Sequence, residues 1–297
     1  MSHLSPLQNR VIGRLDFEVK SLLHIGAGGE EVRRETLRVG EKLLIPASSV
    51  KGAIRRLVEQ VARSMSLGFP DAFSIGEGKL FCLEGRVDQA IEWLFEQKGI
   101  LPLLRSLGWE DQLGRLGVKK EEDWEGLAGR RGGLSEGEKR RLKGMAEDCA
   151  TVKHPLYRLM GGQKIASKLR FLDNLLEATV QEKPGVGIDR KSGKASEHHL
   201  YFLESLKPPR LGLWFIADNL QPGSPEAALL ARTLELVRSV GLSLGARKSA
   251  GMGRLELVGG EFWIADLEGD DGTRLVDPFA GEKRDLDGFI SWLAPRT

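Results

Sequence analysis

Ten residues near the end of the chain combine glycines, cations and a hydroxyl group. They run Gly245-Ala246-Arg247-Lys248-Ser249-Ala250-Gly251-Met252-Gly253-Arg254, between a predicted amphipathic helix (225–244) and a predicted apolar strand (255–258). Glycine permits positive φ values and leaves N–H groups exposed, and a row of such groups beside cations binds anions. The loop therefore predicts a phosphate site, with contacts from Gly245, Arg247, Lys248, Ser249, Gly251 and Gly253. A helix C-cap and a turn into an edge strand would explain the same glycines.

The order of elements around this loop excludes two familiar phosphate sites. A Walker A loop needs G-x-x-x-x-G-K-[ST] after a strand, and a dinucleotide-binding turn runs from a strand through glycines into a helix. Here the order is helix, glycines, strand. The loop is therefore of another kind, and its phosphate remains to be identified.

The start of an earlier helix predicts a second phosphate site. Ser48 and Ser49 are favourable N-cap residues, and an amphipathic helix follows them. A helix N-terminus carries unpaired N–H groups and partial positive charge, which suit a phosphate. Lys51 and Gly52 lie in its first turn, and Arg55 and Arg56 extend the cationic face. Simple N-capping by the serines and a solvated face for the cations are the alternatives.

The composition narrows the class of protein. The 297 residues allow one large domain or two ordinary ones. A net charge of only +2 gives no strong global attraction to nucleic acid, so any basic surface must be local. Two cysteines do not make a secreted disulfide framework. No signal peptide or membrane span is visible, and a cytoplasmic protein is the expectation.

The order of predicted elements indicates an α+β fold. Outside residues 69–155 it runs strand, helix, strand, strand, helix, strand, which is the ferredoxin-like (RRM-like) split βαβ pattern. The aromatic motifs with which RRM sheets stack bases are absent. We predict a core made of residues 1–68 and 156–260, with an extended hairpin at 181–199. A mostly helical insertion spans 69–155 and a C-terminal extension spans 261–297.

Five segments, in order, resemble motifs of the RAMP superfamily of CRISPR-associated proteins. Leu23-His24-Ile25-Gly26 is similar to L-H-I-G, and Ile45-Pro46-Ala47-Ser48-Ser49-Val50-Lys51-Gly52 to I-P-G-S-S-x-K-G. Tyr157 to Gly162 with Leu169 to Asp173 resembles R-L-F-G followed by a strand ending in Asp. Gly187 to Ala195 resembles I-D-R-K-T-G-x-A, and the loop at 245–254 the family's glycine-rich loop. The likeness is greatest to the Csm-type backbone subunit of type III effector complexes, and next to their end-capping RAMP subunit.

The resemblance implies a function for these segments. Such subunits stack along CRISPR RNA and hold it for pairing with target RNA. The expected partners are therefore CRISPR RNA, target RNA, other effector subunits and copies of this chain, and no membrane. His24 would contact RNA or support assembly, although a half-buried strand histidine is the simpler interpretation. Residues 181–199, including Arg190 and Lys191, would form a thumb-like β-hairpin over the guide. A charged surface loop is the alternative.

The resemblance also raises the question of catalysis. The family's backbone subunit cleaves target RNA with an acidic residue, usually Asp, between the first two motifs, where a carboxylate would hold a divalent metal or position the 2′-OH. This chain has no Asp there and offers Glu30, Glu31 and Glu35. We therefore expect a non-catalytic RNA-binding subunit, with a metal-dependent ribonuclease as the alternative. A nucleotide-sensing enzyme would need paired aspartates after a strand, which are missing.

Cys82, Cys149 and His154 are candidate ligands of a structural zinc. Zinc sites usually show cysteine pairs two to four residues apart, and this chain has none. Cysteine is also among the most often buried residue types. Burial in the core is therefore the main expectation, and zinc the alternative.

Overall fold

The computed structural model describes residues 6–26, 33–65, 72–76, 79–83, 85–188, 194–269 and 272–295. Its contacts divide the chain into two compact units. The first consists of Met1–Pro6 and Glu59–Lys168, and the second of Leu7–Val58 and Leu169–Thr297. The predicted limits of core, insertion and extension stay predictions.

The elements alternate between strands and helices along the chain. The strands are β1 Asn9–Val19, β2 Arg33–Arg34, β3 Arg38–Val39, β4 Lys42–Ile45, β5 Phe73–Gly76, β6 Lys79–Cys82, β7 Leu169–Phe171, β8 Asn174–Leu176, β9 Val180–Ile188, β10 Ala195–Leu206, β11 Arg210–Asp218, β12 Leu242–Ser243, β13 Arg254–Asp266 and β14 Glu282–Asp285. The helices are α1 Ala47–Ser64, α2 Val87–Phe95, α3 Ile100–Ser106, α4 Glu110–Arg115, α5 Glu121–Gly129, α6 Glu136–Lys153, α7 Pro155–Met160, α8 Pro225–Val240, α9 Thr273–Val276 and α10 Leu286–Leu293.

The second unit is built on an antiparallel sheet. Its strand order is β12-β13-β1-β11-β7, and β14 pairs with β13. Two smaller sheets accompany it, β3-β4-β8 and β2-β10-β9. The expectation of an α+β protein with antiparallel pairing is confirmed.

The core of this unit lies on one face of the large sheet. Alternate residues of β1, from Val11 to Val19, point inward. Phe215 of β11, Phe262 of β13 and Phe289 of α10 form an aromatic cluster there, and the last two rings stack with centroids 4.2 Å apart. Helices α8 and α10 pack against each other and against β13. The sheet therefore has a firm base from which its connecting loops project.

Three element boundaries differ from the sequence expectation. β1 ends at Val19, so His24, which the simpler interpretation put in a strand, lies beyond it. α8 ends at Val240 rather than Leu244, because Gly241 adopts φ +80° and the next two residues pair with β13 as β12. β13 continues to Asp266 instead of stopping at Val258, because a β-bulge there carries the strand past two glycines.

The first unit is mainly helical. Besides helices α2 to α7, it contains a two-stranded hairpin, β5-β6, which precedes α2 and was not predicted from the sequence. Ser135 and Glu138 form a capping box that begins α6. Trp109 donates from Nε1 to Asp148 at 2.9 Å, and the Trp124 ring is buried. Trp109 is thus hydrogen-bonded and Trp124 is buried within the first unit.

Of the helices in the described ranges, none combines the length and apolar character needed to cross a membrane.

Candidate nucleic-acid interface

Three separate segments of the second unit meet at one place. They are residues 22–26 after β1, the first turn of α1, and the loop from Gly245 to Gly253. The Ala246 N–H donates to the His24 carbonyl at 2.9 Å, and the Gly253 N–H donates to the Leu22 carbonyl at 2.8 Å. Gly245 lies at φ +84°, and a Cβ there would overlap the His24 carbonyl oxygen. Glycine is therefore required where the loop touches the first segment.

A groove of about 340 Å³ opens between these segments. It is lined mainly by small residues, together with one isoleucine and one lysine, namely Ile25, Gly26, Ser48, Ser49, Gly52, Ala53, Gly245, Ala246 and Lys248. Both predicted phosphate sites contribute to this lining, although almost two hundred residues separate them in the sequence. Small side chains on every wall let a ligand's backbone approach the protein backbone closely.

The N-terminus of α1 forms one wall, but the serines do not cap it as predicted. The helix begins at Ala47, so Ser48 and Ser49 lie inside its first turn. The cap is Asp173, just before β8, whose Oδ1 accepts a hydrogen bond from the Ala47 N–H at 2.6 Å. The β4-β8 pairing, in which Ile45 faces Asn174, brings this carboxylate to the helix. Both serines are thereby left to face the groove.

The predicted cationic ligands of α1, Lys51, Arg55 and Arg56, lie farther along the helix and do not line the groove. Burial, and next the nearby Arg55 guanidinium, lower the pKa of Lys51 below its usual value. Neither Lys51 nor Lys248 forms an ion pair with a carboxylate in the part of the chain that the structure describes. Arg56 is exposed. A bound anion would relieve the repulsion between Lys51 and Arg55, since like charges at this helical spacing are unfavourable.

The glycine-rich loop presents fewer backbone donors than its sequence predicted. Five of its N–H groups are used inside the protein, those of Ala246, Ala250, Gly251, Met252 and Gly253. Lys248–Ala250 form a single 3-10 turn. Gly253 is needed for the backbone conformation of the loop, because a Cβ there would overlap the Leu244 carbonyl oxygen. Ser249 and Gly251 are exposed but lie outside the groove lining.

Arg247 and Lys248 are adjacent in sequence but differ in surroundings. Lys248 is exposed and lines the groove. Arg247 is half-buried, and its guanidinium lies over the Tyr201 ring of β10 with Cζ 4.4 Å from the ring centroid. Its Nη1 also donates to the Tyr201 hydroxyl at 2.5 Å. Of the two cations that the loop was predicted to offer a phosphate, Arg247 and Lys248, only Lys248 lines the groove.

His24 contributes its backbone to the site rather than its side chain. The imidazole is buried, and Nδ1 lies 2.7 Å from the Glu204 carbonyl of β10. Glu204 Oε2 in turn accepts from the Thr36 N–H at 3.2 Å and pairs with Arg38. Burial therefore keeps the His24 ring from a ligand in the groove. The predicted role of His24 in RNA contact or assembly stays a prediction.

Several predicted residues fall outside the described ranges. Arg190 and Lys191 are among them, between β9 and β10, which pair in antiparallel fashion. The thumb-like hairpin at 181–199 stays a prediction. Glu30 and Glu31 are also outside. Glu35, the third candidate carboxylate, is exposed just before β3.

Cys82, Cys149 and His154 do not fit a structural zinc. Among the described residues, no three or more His, Cys, Asp or Glu side chains form a group that could hold a metal. Burial raises the pKa of the Cys149 thiol to about 11. His154 Nδ1 accepts from the Leu156 N–H and caps α7. These side chains serve the core of the helical unit.

Two residues important to the site were not singled out as site residues. Asp173 caps α1 from a distant strand, and its only signal was its place at the end of a strand motif. Tyr201 is one of two tyrosines in the chain, but nothing in its sequence neighbourhood points to Arg247. Both interactions are made across the fold, where sequence spacing gives no guidance.

Comparisons with known proteins point to one family. A family model described as the RAMP superfamily matches residues 16–256. No curated protein matches the sequence. A chain of the solved structure "Type IV-B CRISPR Complex" is 14% identical, with a TM-score of 0.43, over 86% of this chain and 90% of that chain. A chain of "Cryo-EM structure of the Type III-B Cmr-beta bound to cognate target RNA" is 10% identical, with a TM-score of 0.40, over 86% and 61%.

Proposed function

The chain belongs to the RAMP superfamily, and we propose that it binds CRISPR RNA as a subunit of a type III interference complex. Its groove would hold phosphates of the guide so that the bases stay available for pairing with target RNA. The membership rests on a match to more than half of the chain. The groove itself is an observation independent of that match.

The observation that carries the proposal is the meeting of the α1 N-terminus and the glycine-rich loop in one groove. The Ser48 N–H has no hydrogen-bond partner among the described residues and lies at the positive end of an 18-residue helix. Such an end favours a phosphate. Lys248 lines the same groove. Dipole, hydroxyl groups and cation are the chemistry that a phosphodiester backbone requires.

The placement of further cations supports an extended ligand over a single phosphate. Lys51, Arg55 and Arg56 continue from the groove along α1, and one helical turn advances about 5.4 Å. A chain of phosphates can follow such a row, whereas an isolated phosphate would use only its first member. The row is local, in keeping with a net charge of +2.

The topology supports a ferredoxin-like core as the platform. In the strand order β13-β1-β11-β7, the first and third core strands in sequence lie in the centre. Helix α1 follows β1, and α8 follows β11, as the split βαβ pattern requires. We propose the helical region 69–155 as an insertion in this core and residues 181–199 as the thumb-like hairpin. The Csm-type backbone position, with copies of itself as neighbours in the cytoplasm, completes the proposal.

Salt-dependent RNA binding tests the proposal. Anisotropy of a fluorescein-labelled repeat-derived RNA should show tight binding that weakens linearly in log–log form as salt rises. Lys248→Ala should weaken binding to all sequences and reduce the salt slope by about 0.7, the share of one phosphate on a single strand.

Lys283→Ala is the matched control. Lys283 lies on β14, pairs with Glu261 and does not line the groove. The Lys283→Ala variant loses one positive charge, as Lys248→Ala does, but should change neither the RNA affinity nor the salt slope. Equal effects of the two variants, or an unchanged slope in Lys248→Ala, would refute phosphate binding in the groove.

A further inference from the structure

We propose that Tyr201 is a positioning residue for RNA binding: it fixes Arg247 and thereby the loop that carries Lys248. The inference rests on the proposed function, because it assigns a role within the same groove. It gives the β9-β10 hairpin a second task besides any contact of its own with RNA. Arg247 becomes an anchor of the loop instead of a phosphate ligand.

The Tyr201 ring is held first by the hairpin itself. In the β9-β10 pairing, Tyr201 lies directly opposite Gly185. A Cβ on Gly185 would overlap the ring and the hydroxyl of Tyr201. The ring therefore lies across a strand position where only glycine leaves room for it. This cross-strand arrangement restricts the ring before Arg247 contacts it.

Arg247 is the point at which the loop is held. Its backbone lies at φ +55°, a left-handed conformation that is uncommon outside glycine. Its carbonyl accepts from the N–H groups of Ala250 at 3.0 Å and Met252 at 3.3 Å, so its orientation sets the 3-10 turn. Stacking on Tyr201 and the hydrogen bond to its hydroxyl hold the side chain. The ring contact thus secures the unfavourable backbone geometry.

The next residue in the chain is the groove cation. Because Lys248 begins the turn that Arg247 orients, loss of the ring contact should let Lys248 leave the groove. Replacing Tyr201 removes no lysine, arginine or carboxylate, so the replacement changes the positioning of the loop without removing a cation from the groove. That separates positioning from phosphate contact in an experiment.

Binding of fluorescein-labelled oligouridine RNA tests the inference. Tyr201→Leu should weaken binding about three- to tenfold, the range expected when a cation–π contact and its hydrogen bond are lost. Tyr201→Phe keeps the ring and should restore most of the affinity. Phe202→Leu is the control, since Phe202 is the neighbouring aromatic on the other face of β10. It should bind like the wild type.

A double-mutant cycle identifies the route of the effect. If Tyr201 acts through Arg247, the Tyr201→Leu/Arg247→Ala double variant should bind no more weakly than Arg247→Ala alone. Independent, multiplying losses would mean that Tyr201 contacts RNA itself and would overturn the inference. Unchanged binding by Tyr201→Leu would also overturn it.

Hydrogen exchange in the RNA-free protein gives a second readout. The Ala250 and Met252 amides should exchange faster in Tyr201→Leu than in the wild type, whereas amides of β1 should not change. Unchanged loop exchange would count against the inference. If the wild type fails to bind RNA, or Lys248→Ala has no effect, the proposed function fails. If those results hold and only the Tyr201 variants behave as wild type, the inference alone fails.

Discussion

Neighbouring residues of the loop have different roles because their side chains leave the backbone in different directions. Lys248 faces the groove, whereas Arg247 stacks on Tyr201. Gly245 and Gly253 are needed for close backbone approaches at positive φ. Gly52 differs from both, because a Cβ there would meet nothing within 4 Å. The space beside Gly52 is therefore available to a ligand and is not used by the fold.

Replacing Gly52 by alanine separates binding from stability. The free energy of unfolding should rise by up to about 1 kcal/mol, because alanine is the better helix former. RNA affinity should nevertheless fall severalfold, since the methyl group occupies the space where a phosphate backbone would approach. Thermal unfolding and RNA anisotropy on the same preparation measure both. Full affinity in a stabilised variant would show that the ligand does not approach Gly52.

At the scale of elements, the position of α1 is decided by a strand distant in sequence. β4 leads directly into the helix, and its pairing with β8 delivers Asp173 to the Ala47 N–H. This carboxylate stabilises the helix N-terminus, but its negative charge also opposes an anion bound there. Asp173 thus fixes the N-terminus of α1 and at the same time weakens the attraction of that N-terminus for phosphate.

Asp173→Asn should expose this conflict. Asparagine keeps an oxygen that can accept from Ala47, so the helix should lose only about 0.5 kcal/mol of charge–dipole stabilisation. RNA affinity should increase, by up to about fivefold at low salt, because the competing charge is gone. Asp173→Ala, which removes charge and acceptor, should cost about 1 kcal/mol of stability. Weaker RNA binding by Asp173→Asn at low salt would contradict this account.

His154, between α6 and α7, should make the stability of the helical unit depend on pH. Burial lowers the pKa of His154 from 6.5 to about 4. The unfolded chain therefore takes up a proton before the folded one, and the free energy of unfolding falls as the pH drops from about 6.5 to about 4. The loss is on the order of 3 kcal/mol at its limit.

His154→Asn provides the control for that dependence. Asparagine is a favourable N-cap, so it can replace the imidazole at the start of α7 without titrating. Unfolding of the variant, followed by circular dichroism, should vary less with pH in this range. An equally steep pH dependence would assign the effect to other groups.

At the scale of the whole molecule, positive and negative charges are nearly equal in number, but the cations differ in whether they pair with a carboxylate. Lysine and arginine total 44 and aspartate and glutamate 42. Many surface cations pair with carboxylates, as in the Arg14, Glu261 and Lys283 network. Lys51 and Lys248 form no such pairs with described residues. Binding should therefore depend on where a charge lies and not on the total.

Two double variants of equal net charge test that dependence. Lys51→Ala/Lys248→Ala removes two cations at the proposed interface, and Lys98→Ala/Lys119→Ala removes two exposed cations of the helical unit. Only the first should lose RNA affinity, by more than either single variant. Filter binding across a salt series measures both. Equal losses would mean that binding follows net charge alone.

Much of the fold was predictable because its signals are local. The alternation in β1, the apolar face of α1 and Pro225 at the start of α8 are periodic or positional features that a short window contains. The extension of β13 was missed because a bulge lets a strand continue past glycines that usually end one. Asp173 as the cap of α1 was missed because its partner lies more than a hundred residues away.

By itself, the sequence determined which short segments could bind phosphate, their order along the chain and the resemblance to one family. Those properties follow from residue type and spacing, which are fixed before folding. Only the tertiary structure decided that two of the segments share one groove, that Lys248 faces it, and that Arg247 and the His24 ring do not. Side-chain direction at such a site depends on contacts between distant strands, and a linear pattern does not contain those contacts.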